Sequence, residues 1–316
     1  MAFGTRDIRP GMIEAKSLCK QYGHFTAVDD LSFTVEPGQV LGFLGPNGAG
    51  KSTTMKMLTG FLAPTSGTAV IRGHDIVRES LAARRSIGYL PEGAPSYGEM
   101  TVIQFLEFVA RARGIEPTDI AKAIERVVGQ LQLASVLHQV VETLSKGFKR
   151  RVGLAQAIMH DPPILILDEP TDGLDPNQKH EVRTLIQEMS SDKIIVISTH
   201  ILEEVAAVCN RVMIIARGRL LADDSPGGLI ARSRFHNAVT MVVDEAEKTA
   251  SILSELPQVA RAELKGGELT VFPSGDGLFE AVSAAIAEHG WNVHQLRLEA
   301  GRFDEVFREI TQGEPA

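Results

Sequence analysis

Residues Gly45-Pro-Asn-Gly-Ala-Gly-Lys51-Ser52 lie between an apolar stretch, Val40–Leu44, and a helical segment opening Thr53-Thr-Met-Lys-Met-Leu58. This is the G-x-x-x-x-G-K-[ST] spacing in the strand–loop–helix context that gives it meaning. Glycines allow the backbone to wrap tightly and to turn successive N–H groups towards a polyphosphate. The helix that follows presents unpaired N–H groups and the positive end of its dipole to the same anion. Lys51 then reaches the β- and γ-phosphates, and the Ser52 hydroxyl is offered to Mg2+. A bare glycine-rich turn would account for neither Lys51 nor the flanking elements. The feature therefore implies an α/β fold with a parallel sheet and a bound nucleoside triphosphate.

A second apolar run, Pro163-Ile-Leu-Ile-Leu167, ends in Asp168-Glu169. Four to five aliphatic residues without alternation read as a buried parallel strand, and open α/β sheets gather ligands at the carboxyl ends of such strands. Asp168 is placed to hold Mg2+, directly or through water, and Glu169 to accept the proton of an attacking water. The bland alternative for an acid pair is a solvated strand end. A third run, Ile194–Ile197, ends in Ser198-Thr199-His200. A lone histidine is commonly structural, but at the end of another core strand His200 can meet a γ-phosphate and its water.

These features resemble the nucleotide-binding subunit of ATP-binding cassette (ABC) transporters, over roughly residues 10–220. The family's Leu-Ser-Gly-Gly-Gln-type signature is matched by Leu144-Ser145-Lys146-Gly147-Phe148, with its helix expected from about Lys149 to Met159. Lys146 and Phe148 depart from that pattern, in the manner of a bacterial subgroup that works with separate ABC-2-type membrane subunits. The D-loop is matched by Gly173-Leu-Asp-Pro176 and the switch histidine by His200. The resemblance assigns Gly45, Pro46, Asn47, Gly48, Ala49, Gly50, Lys51, Ser52 and Thr53 to the phosphates, and Ser145 and Gly147 to a γ-phosphate held by another subunit. It also places Tyr22 on adenine, against the alternative of an ordinary strand-end tyrosine. Glu92 falls where the family's Q-loop glutamine belongs, which implies a Mg2+- or water-mediated role. In the family each ATP lies between one subunit's phosphate loop and another's signature; with one of each and no repeat, the resemblance implies a homodimer or a heterodimer with a related cassette.

The remaining chain supports that frame. With 316 residues, 44% hydrophobic and 23% charged, the composition is that of a soluble globular protein. No apolar run is long enough to span a bilayer, and Met1–Asp7 lacks the apolar core of a signal peptide. Cys19 and Cys209 have neither metal nor redox spacing, and a net charge of −8 argues against a nucleic-acid partner. The family resemblance then implies a cytoplasmic protein peripheral to the membrane, attached through an ABC-2-type integral membrane permease. A soluble ABC-type ATPase in a non-transport role is the alternative. It would be signalled by tandem cassettes or a long coiled coil, and the sequence has neither.

Punctuation divides the chain into 1–222, the nucleotide-binding domain, and 230–316, a smaller one. Residues 12–44 read as strands of an antiparallel subdomain, broken at Tyr22-Gly-His24 and Glu36-Pro-Gly38. Residues 93–160 read as a helical subdomain, with Val102, Phe105, Leu106 and Val109 on one face. Ile120, Ile124, Val127 and Val128 form a second stripe, expected to be core rather than a partner groove. A turn-rich hinge, Pro91–Gly98, precedes these helices; in the family this region touches the membrane subunit. Past Gly218, Ser225-Pro-Gly-Gly228 reads as a linker. The order β-α-β-β-α-β over 238–298 then predicts a ferredoxin-like α+β domain, regulatory or dimer-supporting in role. A last helix, Arg302–Thr311, carries Phe303, Val306, Phe307 and Ile310 on one face.

Overall fold

The computed structural model describes residues 12–93 and 96–312. The reading of Met1–Asp7 and the Ala94-Pro95 part of the hinge lie outside the described residues. Two compact units are present, Met1–Asp224 and Ser225–Ala316.

The first unit opens with β1 (Ile13–Tyr22), β2 (Phe25–Val35) and β3 (Val40–Leu44), followed by α1 (Lys51–Leu58), β4 (Ser66–Ile71), β5 (His74–Asp75), α2 (Ser80–Arg85) and β6 (Ile87–Leu90). Then come α3 (Val102–Ala112), α4 (Ile120–Gln130), α5 (Lys146–Ile158), β7 (Ile164–Asp168), α6 (Pro176–Met189), β8 (Ile194–Thr199), α7 (Leu202–Val208), β9 (Arg211–Ala216) and β10 (Arg219–Asp224). Six strands form the central sheet in the order β10-β9-β3-β8-β7-β6. All neighbours in it are parallel except β10, which turns back antiparallel on β9. Strands β3, β7 and β8 are buried along their whole length, which is why they carry no alternation.

A second sheet, β2-β1-β4-β5, is antiparallel. The expected antiparallel subdomain thus contains β1 and β2 but not residues 40–44. A five-residue run buried on both faces, Val40–Leu44 belongs between two strands of the core sheet. Its place in the antiparallel sheet is taken by β4 and β5. The helix after the phosphate loop starts at Lys51, two residues earlier than Thr53, and the signature helix at Lys146 rather than Lys149. In the latter case Ser145 is the N-cap, its Oγ accepting from Phe148 N at 3.3 Å, so the helix can begin immediately after it.

The helical segment 102–130 follows its periodicity. Thr101 and Gln104 close a reciprocal capping box on α3, and Val102, Phe105, Leu106 and Val109 are all buried. The α4 stripe behaves differently from expectation. Ile124 and Val127 are buried, but Ile120, Ile124 and Val128 also line an open apolar groove of about 980 Å3 with Ile103 and Leu137. Two short helices, α3 and α4, do not close over all of their facing apolar surface.

The second unit comprises α8 (Pro226–Ile230), β11 (Val239–Val243), α9 (Ala246–Leu253), β12 (Val259–Lys265), β13 (Glu268–Pro273), α10 (Leu278–His289), β14 (Val293–Leu298) and α11 (Phe303–Gln312). Its antiparallel sheet runs β12-β13-β11-β14, the ferredoxin-like order. Val239, Met241, Leu269, Val271, Leu253 and Val282 make its core. The stretch read as a linker is instead helix α8, because Ser225 caps it through Gly228 N at 3.0 Å and Pro226 sits at its first position. Residues 219–224, beyond the Gly218 turn, are a strand of the central sheet. Helix α11 buries Phe303 and Val306 and packs on α8.

Candidate active site

Sheet register assembles the site. Leu44 of β3 pairs with Thr199 of β8, and Ser198 of β8 pairs with Asp168 of β7. Gly45, Glu169 and His200 are the residues that follow these three strand ends. One edge of the sheet therefore collects the phosphate loop, the acid pair and the histidine, although up to 155 residues separate them in sequence.

The loop is shaped by backbone constraints. Gly50 has φ +104°, and a Cβ there would stand 2.5 Å from the Ala27 carbonyl oxygen, so no side chain fits. Lys51 is buried, and its Nζ donates to the Gly45 and Pro46 carbonyls at 2.7 and 3.1 Å, curling over its own loop. Burial pulls its pKa down, while Glu169, Asp168 and Glu92, in that order, pull it up. Around the loop lies a cleft of about 320 Å3, lined by Tyr22, Phe25, Ala27, Asn47 through Thr53, Glu92 and Glu169. Tyr22 closes β1 and is 50% exposed, with Lys20 Nζ 5.3 Å from its ring centre. Its aromatic neighbour Phe25, on the adjacent strand, escaped sequence reasoning; the two flank a tight turn and reach the cleft together.

Asp168 is 1% exposed. Its Oδ1 accepts from the Ser52 hydroxyl at 3.2 Å and from the Ser198 hydroxyl, while its buried Oδ2 has no hydrogen-bond partner. A buried, ionisable oxygen left bare is costly unless a cation or donor meets it. An oxygen-only donor set of this kind suits Mg2+. Among the described residues no group of three or more His, Cys, Asp or Glu could hold a metal by itself. Protein oxygens would then supply part of the coordination and phosphate the rest.

Glu169 has φ +50°, a left-handed conformation unusual for a residue with a side chain. Its N–H donates to the Ser198 carbonyl at 3.0 Å and approaches Ser198 Oγ at 3.3 Å. Its Oε1 is 2.9 Å from His200 Nδ1. Ser198 thus orders both acids, a role its type did not advertise beyond its place beside His200. Arg150 lies directly behind the pair and carried no sequence signal.

Ser145 and Gly147 are not among the residues lining this cleft. Gly147 is buried against α6, where a Cβ would come within 2.4 Å of Gln178 Oε1. Within the D-loop stretch, Asp175 Oδ1 accepts from Gln178 N at 2.9 Å and caps α6, whose first residue is Pro176.

The sequence profile of the ABC transporter family matches residues 28–172. A Nod factor export ATP-binding protein I of Cupriavidus metallidurans is 32% identical over 301 residues, covering 95% of this chain and 97% of that one. The chain belongs to the ABC transporter family as an ATP-binding subunit. A probable multidrug ABC transporter ATP-binding protein of Escherichia coli K12 is 40% identical over 223 residues, or 70% of this chain. The chain spans 38% of the length of that relative. An ATP-binding cassette solved as a dimer in a post-hydrolysis state with ADP and Pi superimposes with a TM-score of 0.64 at 20% identity, over 68% of this chain and 98% of that one. At that identity the likeness is one of fold. The cassette is an ATPase of this family, and no helix among its described residues is long and apolar enough to cross a membrane.

Proposed function

We propose that the cassette drives an exporter: two copies, or one copy and a related cassette, close on two ATP molecules beneath an ABC-2-type membrane permease on its cytoplasmic side. The observation that carries this reading is the division of the site. The cleft holds the phosphate loop, Glu92 and Glu169 of one chain, while Ser145 and Gly147 lie outside it. A second chain's signature helix is needed to close each ATP. The dimeric cassette with ADP and Pi supports that arrangement by fold, and the export proteins among its relatives support the direction.

In this reading Tyr22 stacks on adenine, and the N–H groups of Gly48, Gly50 and their neighbours bind the phosphates. Lys51 exchanges its loop carbonyls for β- and γ-oxygens. Asp168 and Ser52, with Glu92 nearby, hold Mg2+, which neutralises charge on the phosphates when bound. Water attacks the γ-phosphorus and gives its proton to Glu169, the bond to the bridging oxygen breaks, and ADP leaves with that electron pair. His200, bonded to Glu169, orients water and γ-phosphate. The smaller unit, about residues 230–316, supports dimerisation or regulates it.

Capture of the full-length tagged chain from membranes of the source cell, followed by mass spectrometry, tests the partner. An enriched polytopic ABC-2-type protein is the expected result. Recovery only from the soluble fraction, with no integral membrane protein bound, would refute the exporter reading.

A further inference from the structure

Arg150 is the fifth residue after the Ser145 cap, one turn into α5, and it points away from the cleft into the protein, only 5% exposed. Its Nε donates to the Pro170 carbonyl at 3.3 Å and its Nη1 to the Pro91 carbonyl at 3.1 Å. Its Nη2 donates to the carbonyls of both Asp168 and Glu169. One guanidinium therefore bonds the backbone of three consecutive residues at the end of β7 and the first residue after β6. Among the described residues it pairs with no carboxylate. Burying a guanidinium without a counter-ion is costly. The compensation here comes from four carbonyl dipoles, with Asp172, Asp168 and Glu169 close by. The planar fork is what makes this possible, since five donors in fixed directions can serve four acceptors and an ammonium group cannot.

The contacts fall on the one strained residue of the site. Glu169 sits at φ +50° with its N–H held by the Ser198 carbonyl. Arg150 holds its carbonyl and the carbonyls on both sides. The Glu169 carbonyl also accepts from Asp172 N at 3.1 Å, so Arg150 reinforces a turn already closed by one bond; losing its bonds to the Asp168, Glu169 and Pro170 carbonyls would loosen the Glu169 backbone and the aim of its carboxylate at His200. The same side chain fixes Pro91, next to Glu92, so α5 is tied to both acid-bearing segments.

We infer that Arg150 is a positioning residue for hydrolysis: it sets the backbone of Glu169 from the signature helix, so that seating of that helix and aim of the base are one event. The inference rests on Glu169 acting as the general base. A residue that merely glued α5 to β7 would affect folding and nucleotide binding alike. A positioning residue lowers turnover through Glu169 alone.

The test is a double-mutant cycle in the full chain, with single-turnover hydrolysis of Mg-ATP and equilibrium binding of a fluorescent ATP analogue. Arg150→Gln should lower kcat roughly 10- to 100-fold while KM and analogue affinity stay within about threefold. Arg150→Lys, which keeps the charge and loses the fork, should recover only part of that loss. In a Glu169→Gln background, Arg150→Gln should change the residual rate less than about twofold, since the group it aims is already gone. Equal fold-losses in both backgrounds would overturn the inference, as would loss of analogue affinity in step with kcat. If Arg150→Gln does not fold, Arg150→Lys decides, and wild-type kcat in it overturns the inference. Near-wild-type turnover of Glu169→Gln alone would remove the base itself, a separate failure read before Arg150 is varied, and would take this inference with it.

Discussion

Replacing Glu169 by glutamine isolates proton acceptance from everything else the side chain does. The side chain is 15% exposed, so an isosteric amide preserves its packing, and an amide oxygen can still meet His200 Nδ1 at 2.9 Å. The backbone bonds to Ser198 and Arg150 do not involve the side chain and are unchanged. What disappears is the basic oxygen. Loss of a general base costs about two to four decades in rate. At about 1.36 kcal/mol per decade, the barrier rises by about 2.7–5.4 kcal/mol. ATP affinity should shift by less than about threefold, because Lys51, Ser52 and the loop N–H groups are untouched. Single-turnover release of phosphate at saturating Mg-ATP reads the rate, and a fluorescent ATP analogue reads the affinity. Turnover within about fivefold of wild type would refute Glu169 as the base; a parallel collapse of affinity would refute the claim that the change is confined to chemistry.

Further outcomes are expected. With ATP, Glu169→Gln should pass from monomer to dimer in light scattering; monomer in both states would remove the self-complementing homodimer. Lys51→Ala removes the one buried cation of the loop and should weaken ATP binding at least about tenfold in the same fluorescence assay, so unchanged affinity contradicts its role. Half-buried His160 has both ring nitrogens buried and neither hydrogen-bonded, and burial together with Arg113 holds its pKa down to about 4; the Ile87 backbone pulls the other way without a bond of normal geometry to the ring. The unfolded chain binds that proton first, so stability falls as pH drops from about 6.5 towards 4, by about 2 kcal/mol at pH 5; denaturant midpoints for His160→Gln should lose this slope, and an unchanged slope would show that the histidine is not its source. Truncation after Asp224 removes α8 and α11 together and leaves β10 paired with β9, so the cassette should still fold and bind ATP; an unfolded product by circular dichroism would show that the two units depend on each other.

The parallel strands were legible because Val40–Leu44, Ile164–Leu167 and Ile194–Ile197 are runs without polar interruption, and only a strand covered on both faces needs that. The ferredoxin-like order was legible from the β-α-β-β-α-β alternation over 238–298. Periodicity does not say which sheet a strand joins, which is why Val40–Leu44 was grouped with its sequence neighbours. Nor does it foresee that Ser225 and Pro226 supply a cap and a first-turn proline, so that a Pro-Gly-Gly stretch becomes a short helix. The α4 stripe looked like core because its spacing is that of a buried face; whether neighbouring helices are long enough to cover it is a tertiary fact. In the site, residue types with a strong chemical prior were visible: glycines, Lys51, the acids, His200. Phe25, Ser198 and Arg150 act through position and backbone contacts, and their types carry no comparable signal.

The departures at the signature can be argued from the same geometry. Phe148 stands where the family has glutamine, and its ring lies 5.9 Å from the Arg151 guanidinium. Arg151 in turn bonds Glu181 of α6 at 2.6 Å and the Leu131 carbonyl beyond α4. Phe148 is therefore engaged within its own chain, packing the start of α5 onto its neighbours. A Cβ at Gly147 would have to push aside the end of the Gln178 side chain. We propose that recognition of the facing ATP falls on Ser145 and on the free N–H groups of the first turn, and that Lys146, exposed at the first helical position, supplies the charge. A cation there opposes the helix dipole in an isolated chain. In the proposed dimer, an anion from the other subunit's nucleotide would offset that small cost.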